Sequence, residues 1–187
     1  IKPDAVVFTG DQVNRHYDAE QWDAFAAVIA DIDPSVKVLH IPGNHDVMIS
    51  EGAVDSSPFT DRYGDDRFLL CERGVRLVGI NSNLIKYDDP RETEQLEWMK
   101  DALKKKDASE VSLLFSHHPF FLKEIGEDDG YFQIQKSKRQ TYFDLCAESD
   151  VDALYAGHLH NNSSGEYSGM PVRTTTSVAF QIGDAQP

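Results

Sequence analysis

Along this chain, short apolar runs alternate with longer amphipathic segments, the pattern of strands crossed by helices. In DAVVFTGD, Ala5 to Phe8 form an unbroken apolar run before Gly10, which predicts a fully buried strand. QWDAFAAVIADI follows, with Trp22, Phe25, Ala26 and Ile29 at helical spacing, and predicts a helix laid on the sheet. VKVLHIPG, GVRLVGINS, EVSLLFSHHP and DVDALYAGHLH predict further strands. Between them, SKRQTYFDLCAES and DDPRETEQLEWMKDALKKK predict helices. In the latter, Asp88 or Asp89 is the expected cap and Pro90 suits the first turn, while Lys104 to Lys106 come last, as the helix dipole prefers. Its apolar face is Leu96, Met99 and Leu103. GEYSGMPVRTTTSVAF predicts antiparallel strands turning at Ser168 and Gly169. PFTDRYGDDRF lies in a variable region, and FLKEIGEDDGYFQIQ is a long irregular insertion between regular elements.

Composition narrows the function classes. A length of 187 residues with 40% hydrophobic residues supports one sizeable core, and no linker or repeat divides it, so a single domain over residues 1–187 is expected. Asp and Glu number 32 against 18 Lys and Arg, a net charge of -14, which repels nucleic-acid phosphates and anionic membrane surfaces and attracts divalent cations. No apolar stretch approaches the roughly 20 residues needed to span a bilayer. The two cysteines, Cys71 and Cys146, are too few for a disulfide framework and read as small core residues, which favours a reducing, cytoplasmic setting.

Four of the expected strands end in side chains that bind metals or handle protons: Asp11 after Gly10, Asn44-His45-Asp46 after Gly43, His117-His118, and His158 with His160 after Gly157. Ligands of open sheets gather at the carboxyl ends of strands, so these termini are expected to converge. Any one of them alone reads as an ordinary turn or core residue. Five of the seven histidines fall in these clusters, which chance does not readily produce.

With these residues in view, GD at 10–11, GNHD at 43–46, HHP at 117–119 and GHLH at 157–160 resemble the ordered motifs of the calcineurin-like metallophosphoesterases. TGD, YGDDRF, INS, the EDDGYF loop, GHLHNNSSGEY and SVAFQIG are similar to its calcineurin-like phosphoesterase-domain-containing serine/threonine phosphatase subgroup. The resemblance implies a four-layer α-β-β-α sandwich of two mixed sheets flanked by helices. It implies two divalent transition metal ions, Mn, Fe or Zn, with Asp11 bridging both, Asn44, His117 and His158 on the second and His160 on the first. A metal-bridging hydroxide then attacks the phosphoester in line. His45 protonates the leaving oxygen without binding metal, and Asp46 orients its imidazole. His118 is expected beside the metal rather than on it, because neighbouring strand residues face opposite sides. Asn14 reads as a turn residue, His16 and His40 as structural, and Lys123 with the EDDGYF loop as the substrate entrance.

The family's opening Asp-x-His, which supplies the first metal, occurs nowhere in the chain. The first-metal site is therefore incomplete here, and the chain is expected to be a fragment truncated at both ends, lacking the first strand and the last strands. The implied function is hydrolysis of phosphate monoesters, of the phosphoserine or phosphothreonine protein phosphatase type. Phosphodiester cleavage, cyclic nucleotides included, is the alternative, and a non-catalytic metal-binding scaffold is the reading of another class. A phosphorylated protein or small phosphoester is the expected partner.

Overall fold

The computed structural model describes residues 2–180, apart from 51, 106, 108 and 109. Its framework is a mixed sheet with strand order β5-β6-β7-β8-β10-β9, from β5 (Phe68–Glu72), β6 (Val75–Gly79), β7 (Val111–Ser116), β8 (Ala153–Ala156), β9 (Ser163–Tyr167) and β10 (Met170–Thr174). The neighbouring pairs β6–β7, β7–β8 and β8–β10 are parallel, and the edge strands β5 and β9 run antiparallel to their partners. A second sheet joins β1 (Ala5–Phe8) and β2 (Lys37–His40) in parallel, with Phe8 opposite His40. Among the described residues this second sheet is a parallel pair rather than the mixed sheet expected.

Helices cover both sides, so the α-β-β-α sandwich holds. The outer face of the large sheet buries Val78, Leu114, Leu154 and Val172 against Met99 and Leu103 of the α4 region and Tyr142, Phe143 and Cys146 of α5. Here α4 is Glu92–Ala102 and α5 is Lys136–Glu148. Helix α1 (Ala19–Ala30) lies on the small sheet, where its Phe25 meets the Phe8 ring edge-on with centroids 5.1 Å apart. Between the sheets Gly79 is required, because a Cβ there would sit 2.2 Å from the Phe68 ring and 2.7 Å from Ile41.

Several elements depart from the sequence pattern. Helix α4 starts at Glu92, behind an Asx turn in which the Asp89 carboxylate accepts the Arg91 N–H at 2.9 Å, and it ends before Lys104. Residues 48–67 are not merely variable: β3 (Met48–Ser50) pairs with β4 (Ala53–Asp55), and α2 (Ser57–Tyr63) buries Phe59. GVRLVGINS leaves the strand after Gly79, and Asn81 caps a five-residue helix, α3 (Ser82–Lys86), by accepting the Asn83 N–H. The Ser168–Gly169 turn forms as expected, both residues with positive φ, as two-residue hairpin turns prefer. Cys146 is buried, but Cys71 is exposed on edge strand β5 and not in the core. Among the described residues, no helix is long and apolar enough to cross a membrane.

Candidate metal centre

Three of the four motifs meet because glycine lets their backbones touch. Gly10 has φ +99, and a Cβ on it would lie 2.5 Å from both the Gly43 nitrogen and the His117 ring. A Cβ on Gly43 would come within 2.1 Å of the Asp11 carboxylate. Asp11, His158 and His160 all hold left-handed backbone, with φ of 55, 65 and 52. Such strained positions persist where the surroundings over-determine them, and they cluster at functional sites.

The donors close on one point. From the His117 Nε2 atom, His158 Nδ1 is 3.0 Å away, Asn44 Oδ1 is 3.1 Å and Asp11 Oδ2 is 3.4 Å. His117 donates its Nδ1–H to the Thr9 carbonyl at 2.8 Å, so Nε2 carries a lone pair. Burial lowers the His117 pKa, and it pushes His158 down to about 3, with His117 as a further cause. Neutral imidazoles result, and that is the form that ligates metals. The His117 Nε2 lone pair thus faces a carboxylate oxygen, an amide oxygen and a second imidazole nitrogen, a donor set that suits a cation. The spacing fits: donors bound at about 2.1 Å stand about 3.0 Å apart at right angles and about 3.4 Å apart at the tetrahedral angle. Asp11, Asn44, His117 and His158, a carboxylate, an amide oxygen and two imidazoles, suit a divalent transition metal.

The remaining predicted residues take other positions. His45 is exposed; its backbone N–H donates to Asp11 Oδ1 at 3.0 Å, and its Nδ1 faces the Asn14 carbonyl at 3.0 Å. The orienter of this imidazole is therefore the Asn14 backbone and not Asp46. Asp46 is fully buried and accepts from the amides of Gly43 at 2.8 Å and Val13 at 3.1 Å. It ties the GNHD turn to the loop carrying Asp11. Burial, reinforced by the Asp11 carboxylate, pushes its pKa up to about 8. His160 has its Nδ1 3.2 Å from the Phe180 carbonyl and its ring 4.3 Å from the Phe180 ring. His118 is fully buried beside the donors, its ring 4.5 Å from that of His158. Its Nδ1 lies 3.0 Å from Ser82 Oγ. Lys123 lends its N–H to Glu127, which organises the EDDGYF loop, while Tyr131 and Phe132 of that loop set their rings 5.9 and 5.6 Å from His158. His40 stacks between Phe8 and Tyr63, and His16 meets Tyr17 edge-on.

Sequence reasoning missed the support from Ser82 and Asn83. Its signal was the polar triplet Asn81-Ser82-Asn83 directly behind an apolar strand, all three residues fully buried.

Residues 1–162 match the family described as calcineurin-like phosphoesterase. The chain is 31% identical over 192 residues to the Bos taurus serine/threonine-protein phosphatase CPPED1, covering 97% of this chain and 61% of that protein. It is 26% identical over 192 residues to a probable cyclic nucleotide phosphodiesterase of Rhodococcus erythropolis, covering 96% of this chain and 58% of that protein. A solved dimetal phosphatase from Danio rerio shares the fold with a TM-score of 0.69 at 18% identity, over 94% of this chain and 73% of that one. The chain thus spans about three fifths of the length of the relatives it matches.

Proposed function

The chain belongs to the calcineurin-like phosphoesterase family, whose members use divalent metals, and from that premise we propose that it hydrolyses phosphate monoesters of the phosphoserine and phosphothreonine type. One observation carries this reading: donor atoms from three strand ends lie 3.0 to 3.4 Å from the His117 Nε2 atom at the end of a fourth, with His45 alongside. When bound, a pair of divalent ions supplies positive charge for the phosphate oxygens and lowers the pKa of the attacking water.

The chain's own residues do the rest. Asp11, Asn44, His117 and His158 would hold the second metal, and Asp11 and His160 would contribute to the first. His45, with Nδ1–H held by the Asn14 carbonyl, presents Nε2 to the leaving oxygen and, in its doubly protonated form, gives up the Nε2 proton as the P–O bond breaks. Asp46 acts through the backbone, fixing the turn that sets the spacing of Asp11, Asn44 and His45.

The bovine phosphatase relative supports the monoester reading, and the Rhodococcus relative supports a diester alternative. The test is to load the chain with Mn2+ and compare a phosphoserine peptide with bis-p-nitrophenyl phosphate. Faster release of phosphate from the peptide is expected, and predominant diester cleavage overturns the monoester reading.

A further inference from the structure

The short helix α3 is an odd place for polar side chains. Asn81, Ser82 and Asn83 are fully buried, and of the residues of α3 only Lys86 at its end is partly exposed. What they hold is the backbone around those donors. Asn83 Nδ2 faces three oxygens, the carbonyls of Pro42 at 3.3 Å and Gly43 at 3.2 Å and Asn81 Oδ1 at 3.0 Å. Three acceptors around one nitrogen fix the amide's orientation, since its oxygen would be repelled there. The two carbonyls immediately precede Asn44. Ser82 Oγ accepts the His118 N–H at 2.9 Å and meets the His118 Nδ1 at 3.0 Å, pinning the residue that follows His117. At the end of the helix, Lys86 Nζ donates to the carbonyls of Gly130 at 3.2 Å and Gln133 at 2.5 Å, on either side of Tyr131 and Phe132.

His158 shows why this matters. Its ring is enclosed by four others: those of His117 at 4.8 Å, His118 at 4.5 Å, Phe132 at 5.6 Å and Tyr131 at 5.9 Å. Ser82 sets one of these rings and Lys86 the loop bearing two more. A ligand's orientation governs metal affinity, and losing the partners that set it ordinarily costs 10- to 100-fold.

We propose that α3 is the brace of the metal centre, with Ser82, Asn83 and Lys86 as positioning residues for His118 and His158, Asn44, and the Tyr131–Phe132 loop respectively. The inference rests on the metal-centre reading above. Gln95, also fully buried, clamps the helix start by accepting the Asn81 N–H at 2.8 Å and donating to the Asn81 carbonyl at 3.1 Å.

The test titrates Co2+ into the 187-residue chain, follows its visible ligand-field absorption, and records thermal unfolding of the metal-free samples. Ser82→Ala and Asn83→Ala should each weaken Co2+ binding about tenfold and shift the ligand-field spectrum. Phe143→Leu, in the core of α5 away from the donors, should lower the melting temperature while keeping wild-type affinity and spectrum. Ser82→Ala and Asn83→Ala with lower melting temperatures but wild-type Co2+ affinity overturn the brace, as does an equal loss of affinity in Phe143→Leu. If a buried variant does not fold, Lys86→Met at the half-buried end decides: weaker binding supports the brace and unchanged binding overturns it. A wild-type chain that binds no Co2+ overturns the metal-centre reading and the brace together, whereas binding indifferent to these residues overturns the brace alone.

Discussion

His45 and Asp46 are neighbours with opposite environments, and their difference decides what each can do. His45 is exposed, anchored through its own amide to Asp11 and through Nδ1 to the Asn14 carbonyl. Removing its side chain leaves Asp11, Asn44, His117 and His158 untouched. His45→Ala is therefore expected to lower turnover about 10²- to 10⁴-fold while elemental analysis finds the wild-type metal content. A variant emptied of metal would show that His45 is a ligand. Asp46 could not be read correctly from the letters, because its role depends on where a three-residue turn folds back. In GNHD the carboxylate reaches the Gly43 amide three positions earlier, and then the Val13 amide from another loop. The four converging donors, by contrast, were legible, because each stands at the end of an apolar run and three of the four motifs carry a glycine at that end. The direction of the His160 ring was not legible, since Phe180, twenty positions on, sets it.

Among elements, the strands and the three long helices, α1, α4 and α5, follow from the alternation of apolar runs and amphipathic segments, although β1, expected to be fully buried, is only half-buried along its length. A short apolar run marked β7, and Leu96 and Met99 marked α4. The short elements did not show: α3 has five residues and β3 three, too few for any period to register. Between elements, His40 of β2 stacks on Phe8 of β1 at 5.2 Å and on Tyr63 of α2 at 4.3 Å, so it joins the small sheet to α2. Burial pushes its pKa down to about 4 from an ordinary value near 6.5. A depressed histidine favours folding while neutral, so its contribution is full above pH about 6.5 and is lost as pH falls toward 4. His40→Phe keeps the stacking without the titration. Its melting temperature relative to wild type is expected to rise between pH 6.5 and 4. A constant difference across that window would contradict the assignment.

At the scale of the whole molecule, 32 acidic against 18 basic side chains leave a field that welcomes cations and resists a dianionic phosphate until cations are bound. Metal binding to the folded chain but not the unfolded one stabilises it. At 100 times the dissociation constant the gain is about 2.7 kcal/mol, which for a domain of this size raises the melting temperature by about 5 to 10 °C. Mn2+ is expected to produce that shift in a thermal melt, and a chelator to reverse it; no shift at saturating Mn2+ would argue against a preassembled site. The claim beneath all of this is that Asp11, Asn44, His117 and His158 surround one cation. X-ray absorption at the edge of a bound Mn2+ or Zn2+ ion tests it most directly. Nitrogen and oxygen donors at about 2.0 to 2.2 Å with the outer-shell scattering of two imidazoles are expected; an ion ringed by oxygens alone, with no imidazole signal, would rule this coordination out.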